Sequence, residues 1–145
     1  MKEPIEYWDE EHGLSRCMIP YVTSGGVELM GIGLAECDPE DEEFKSHLTG
    51  GIIAQTRAEI DLIKQINKYE IRPAIAALKH VYCTMTHSKK YNPKSYEAIR
   101  LKKEIAHLMD EFDGDKQLIK ELQAQLKTYI EDKNNFYEKI KNGQK

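Results

Sequence analysis

An α+β chain, with a small antiparallel sheet at its start and two long helices after it, is predicted by three features of the sequence. Two apolar runs, residues 14–22 and 27–37, flank the turn cluster Thr23, Ser24, Gly25, Gly26, the pattern of a β-hairpin. From Ile52 to about Thr86 the apolar positions keep helical spacing. In the last third Ala98, Leu101, Ile105, Leu108, Phe112, Asp115, Ile119, Leu122, Leu126, Tyr129, Lys133, Phe136 and Ile140 follow a strict three-four step, and eleven of these thirteen are apolar.

The 145 residues read as a single domain (1–145) in three parts: a β-rich head with an acidic loop (1–48), a first helix (49–87) and a long C-terminal helix (95–142). A helix of that last length would reach on the order of 70 Å, about twice the width of a domain this size. A coiled-coil-like stripe so long predicts a homo-oligomer, with function at the subunit junctions.

In the head, Tyr7 and Trp8 are expected to add an edge to the hairpin, and Gly31 and Gly33 mark a bulge or a close backbone approach. The acidic stretch Asp38, Pro39, Glu40, Asp41, Glu42, Glu43 lacks the alternating ligands of a calcium loop and reads as solvated. Thr49 is expected to cap the first helix, with Gly50 and Gly51 leaving its first amides uncovered and Thr56 and Arg57 one to two turns in. Exposed helix N-termini and forked guanidinium donors both suit phosphate, although a structural Arg57 bridging to the acidic loop fits the same pattern. Pro73 predicts a kink near Tyr69 and Glu70, because it removes one backbone donor and crowds the turn before it.

The connector 88–95 carries Lys89, Lys90, Tyr91, Asn92, Pro93 and Lys94, and Ser95 caps the long helix with Glu97 in its first turn. Tyr82, Tyr91 and Asn92, with Arg100 and Lys103 nearby, are the groups a nucleotide uses: a ring to stack on, an amide for the base edge, cations for phosphate. A basic helical turn whose tyrosines cover the core is the competing reading. Within the long helix, Gly114 and Asp115 predict a kink or a register-fixing contact, with a break into two antiparallel helices as the alternative.

Charge is divided unevenly. Residues 1–60 hold thirteen acids and four bases (4 − 13 = −9), and residues 61–145 hold seventeen bases and twelve acids (17 − 12 = +5), for the net −4 of the chain. An anionic ligand is therefore expected on the helices. Cys17, Cys37 and Cys83 show no C-x-x-C spacing and an odd count, which predicts a reduced, cytosolic protein. No apolar run approaches a membrane span, and no cofactor or metal is expected. His80, Cys83 and His87 share one side of the first helix without an apparent fourth ligand.

The order of these features, the hairpin head, "CDPED", "TGGIIAQTRAEI", "LKHVYCTM" and "KKYNPKSYEAIRLKKEI" before a long coiled helix, resembles the phage Thoeris anti-defence sponge proteins. The similarity runs over nearly the whole chain, although no single motif in it is diagnostic. It implies a non-catalytic protein in the cytoplasm of an infected bacterium that sequesters glycocyclic ADP-ribose, with dimers assembling to hexamers and no membrane or long nucleic acid as partner. It places Tyr82 and Asn92 in the pocket, with Arg100 a counterpart on motif grounds. The segment Thr49, Gly50, Gly51, Thr56 and Arg57 would correspond to a second site, present in some members, for cyclic trinucleotides. Two alternatives stay open: a coiled-coil adaptor binding a host protein, and an enzyme that degrades a nucleotide signal through the acidic loop with His47 or through His80, Cys83 and His87.

Overall fold

The computed structural model describes residues 3–36 and 47–143 and has an α+β architecture. Strands β1 (Ile5–Asp9), β2 (Leu14–Val22) and β3 (Glu28–Glu36) form an antiparallel sheet in the order β1-β2-β3. Tyr7 and Trp8 do lie on an edge strand, with Tyr7 opposite Arg16 and Trp8 opposite Ser15. The β2–β3 turn closes through Gly26, whose φ of 84° favours glycine, while the Thr23 hydroxyl accepts from the Val27 amide at 3.0 Å. The acidic stretch 38–43 and Cys37 lie outside the described residues.

Helix α1 (His47–Ile66) covers one face of the sheet. Cys17, Ile19 and Ala35 meet Ile53, Ala54, Ala58 and Leu62 in the principal core. Pairing of β2 with β3 is regular from Leu14 opposite Glu36 to Val22 opposite Glu28, so Gly31 and Gly33 mark no bulge. They mark a close approach of α1. A Cβ on Gly31 would stand 2.5 Å from the Ala58 carbonyl oxygen, and one on Gly33 would run into the Ala54 carbonyl.

Pro73 stands in the first turn of α2 (Arg72–Thr86). Its missing N–H is absorbed by a π-helical turn, Asn67–Ile71, between α1 and α2. Glu70 in that turn accepts from the Tyr21 hydroxyl at 2.8 Å and the Ser24 amide at 3.0 Å, tying the turn to the end of the sheet.

Helix α3 (Tyr96–Gly143) is continuous through Gly114, which corrects the alternative of a break into two antiparallel helices. A Cβ on Gly114 would meet open space, so this glycine sits on the outer surface and leaves the backbone ladder undisturbed. Ser95 accepts from the Ala98 amide at 3.3 Å, the expected cap. The helix returns antiparallel along the other two. Met109 and Phe112 face Ile75 and Ala76 of α2, Leu108 and Asp115 face Glu70 and Ile71, and Leu126, Tyr129 and Ile130 reach the core against α1. Its apolar stripe thus faces its own chain: Ala98 and Leu101 are buried, and the stripe positions from Ile105 to Lys133 and Ile140 are partly buried. Near the end, Phe136 is 59% exposed and the half-buried position falls on Tyr137 instead.

Candidate functional site

The turn between α2 and α3 gathers the candidate binding residues. Tyr91 neighbours Tyr82 closely enough for the two hydroxyls to perturb one another, and the Lys102 ammonium lies 5.8 Å from the centre of the Tyr82 ring. Those two neighbours, Tyr91 first and Lys102 after it, hold the Tyr82 hydroxyl below the usual phenol value, and Tyr82 in turn pushes Tyr91 up. Asn92 uses its side-chain oxygen locally, accepting from the Lys94 amide at 2.9 Å, and its carbonyl accepts from the Ser95 amide at 3.0 Å. That turn leaves the Asn92 amide NH2 to donate to a ligand.

Arg100 and Lys103 are not part of this cluster in one chain. Ala98, Leu101 and Ile105 point inward, so at 100° per residue positions 100 and 103 turn to the far side of α3. There they line a hollow of about 440 Å³ with Tyr96, Ile99, Glu104 and His107, and Arg100 pairs with Glu104 at 3.1 Å. Lys102 takes the cationic place beside Tyr82. It stands four residues after Ala98 and one after Leu101, on the shoulder of the stripe, which was the available signal.

A second concavity continues along the α2–α3 groove. It holds about 360 Å³, with Ile75, Met109 and Phe112 as its floor and Arg72, Lys79 and Asp113 at its rim. Lys116 places its ammonium 4.4 Å from the Phe112 ring centre. Lys79 is one turn before Tyr82 on α2 and Met109 two turns after Lys102 on α3, so aromatic rings and cations run along one seam. A third cavity of about 430 Å³, bordered by Tyr21, Glu70, Glu111 and Asp115, is acidic and repels anions.

At the start of α1 the expected second site is dispersed. The helix already includes His47, so Thr49 lies inside it and is not its cap. A Cβ on Gly50 would collide with the Ser15 hydroxyl, placing this glycine against the sheet, whereas Gly51 faces open space. Thr56 donates to the Ile52 carbonyl at 2.9 Å. Arg57 donates to the Leu34 carbonyl at 2.7 Å, and one and two turns on, Asp61 accepts from the Ile32 amide at 2.9 Å and Gln65 donates to the Met30 carbonyl at 2.7 Å. Arg57 thereby belongs to a row of side chains occupying the free edge of β3.

His87 Nδ1 donates to the Cys83 carbonyl at 2.7 Å, which engages one ring nitrogen, and Cys83 Sγ lies 3.8 Å from it. Among the described residues no group of three or more His, Cys, Asp or Glu converges as metal ligands, and no helix is long and apolar enough to cross a membrane. No protein-family model, no curated protein and no solved structure matches the chain.

Proposed function

We propose that this protein binds and sequesters cyclic nucleotide immune signals, foremost glycocyclic ADP-ribose, without degrading them, as a phage anti-defence protein acting in the cytoplasm of the infected cell. The observation that carries the reading is the neighbouring pair Tyr82 and Tyr91 with Lys102 and the Asn92 amide at one helical turn, continued by Phe112, Arg72 and Lys79. Such a strip offers stacking faces, an amide and cations on the basic part of an acidic protein, which is what an adenine dinucleotide requires. The exposed apolar residues of α3, Ile99, Met109, Leu118 and Phe136, support assembly into a homodimer and then a hexamer, in which a second subunit would bring its own Arg100 and Lys103 toward the cluster. The segment from Thr49 to Arg57 is the corresponding proposal for a cyclic trinucleotide site where subunits meet.

Exposed Met109 (41%), Leu118 (42%) and Phe136 (59%) favour a second reading, an adaptor whose α3 grips a host protein. Calorimetric titration with glycocyclic ADP-ribose separates the two. The sponge reading predicts saturable binding that weakens as salt rises; absence of heat and of any thermal stabilisation by the nucleotide would leave the adaptor.

A further inference from the structure

The α2–α3 groove holds one group that anion binding does not explain. Arg72 and Lys79 on α2 and Asp113 on α3 stand at the rim of its cavity of about 360 Å³. None of these three head groups is engaged in an ion pair or a side-chain hydrogen bond with another described residue. Lys116 is spaced along α3 to pair with Asp113, yet its ammonium lies over the Phe112 ring, 4.4 Å from the centre. Of the acids at positions 110, 111 and 113, Asp113 lines the groove, whereas Glu111 borders the acidic cavity.

An ionised carboxylate only accepts hydrogen bonds. Beside a phosphate it is unfavourable by itself, and the ammonium or guanidinium ligand that would suit it is repelled by Arg72, Lys79 and Lys116. Neutral donors remain. Two adjacent ribose hydroxyls meet both carboxylate oxygens at once, whereas the amino group of a base meets one, and an acidic residue on a ribose hydroxyl is the arrangement that dinucleotide-binding folds use. We propose that Asp113 is a specificity-determining residue of this groove: its carboxylate accepts from two adjacent ribose hydroxyls while Arg72 and Lys79 hold the neighbouring phosphates. The inference rests on the nucleotide reading above and narrows it. Asp113 selects ligands that keep a free pair of neighbouring ribose hydroxyls, as ADP-ribose-derived signals do, over 3′–5′-linked cyclic oligonucleotides, whose linkage leaves each ribose a single hydroxyl. The groove and the trinucleotide segment from Thr49 to Arg57 thereby take different ligand classes.

Calorimetric titration of the full chain with glycocyclic ADP-ribose tests this in the wild type, Asp113→Asn, Asp113→Glu and Asp110→Asn. Charge alone predicts that losing an acid beside an anionic ligand tightens binding, and hydroxyl recognition predicts the opposite. The expected result is a loss of about tenfold or more for Asp113→Asn and partial recovery in Asp113→Glu. Asp110→Asn, which removes the same charge nearly one turn away, is expected to bind equally or more tightly. Asp113 is exposed, so its variants are expected to keep the wild-type Tm without ligand. A wild type that binds, with equal or tighter binding by Asp113→Asn, overturns the role of Asp113 and leaves the nucleotide reading standing. The same loss in Asp110→Asn, or a lowered Tm of ligand-free Asp113→Asn, assigns the effect to the charge or fold of α3 and overturns that role as well. A wild type that does not bind overturns the nucleotide reading and this inference with it.

Discussion

The Tyr21 hydroxyl donates to Glu70 at 2.8 Å, joining the last part of β2 to the π-helical turn that Pro73 imposes. Burial pushes the Glu70 carboxyl up, but the bonds from the Ser24 amide and Tyr21 outweigh it and hold the group below its usual 4.5. The folded-state value thus lies below the unfolded one, so the stabilisation is complete above pH 4.5 and is lost as pH falls through the folded value. Glu70→Gln should cost about 1 kcal/mol at pH 7 and flatten the acid limb of stability, read by urea unfolding between pH 7 and pH 3.

Asp115, across the same cavity, behaves in the opposite sense. Burial first, and the nearby Glu111 second, raise its carboxyl above the ordinary 3.8. Its ionised form penalises the fold at neutral pH, and the penalty fades as pH falls through the raised value. Asp115→Asn is expected to stabilise by up to about 1 kcal/mol at pH 7, with the gain disappearing in acid. A destabilising Asp115→Asn at pH 7 would contradict this.

Much of this architecture is a matter of local pattern. The hairpin, the Ser95 cap and the stripe from Ala98 onward each depend on neighbours within a few residues, and the structure has each of them. What the pattern could not carry is long-range or rotational. Gly31 and Gly33 answer to Ala54 and Ala58, some two dozen residues away, and Gly114 is harmless because it faces outward, a fact of packing rather than propensity. Arg100 and Lys103 are close to Tyr82 only when counted along a turn. The phase of α3, set by Ala98 and Leu101, sends them to the far side and brings up Lys102.

Gly33→Ala should be among the most damaging single-methyl additions, since its Cβ would enter the Ala54 carbonyl at the sheet–helix contact. A loss of about 2–3 kcal/mol is expected, visible as a drop of roughly 5–10 °C in Tm. Gly51→Ala, with open space around it, should leave Tm unchanged or slightly raised.

Removing the side chains that occupy the β3 edge should both weaken and expose it. Arg57→Ala with Gln65→Ala frees the Leu34 and Met30 carbonyls, costing about 1 kcal/mol each and promoting strand-mediated aggregation, followed by light scattering. For the proposed second site, Arg57→Ala by itself should abolish cyclic trinucleotide binding and spare glycocyclic ADP-ribose. Loss of both ligands would assign Arg57 a purely structural part.

At the helical turn, Tyr82→Ala or Asn92→Ala should weaken glycocyclic ADP-ribose binding by about 10- to 100-fold, the range for losing a stacking ring or a base-edge bond, without changing the oligomer. Lys102→Ala should lower affinity and reduce its salt dependence. Unchanged affinity in all three variants would remove the turn from the binding site.

The central claim is capture without turnover, and a hold-and-release measurement tests it most directly. Purified protein is incubated with glycocyclic ADP-ribose, freed of unbound ligand, heat-denatured, and the released material chromatographed. The account predicts intact ligand in amounts matching a fixed ratio to protein chains. Recovery of a cleaved or altered nucleotide, or of nothing, would contradict it.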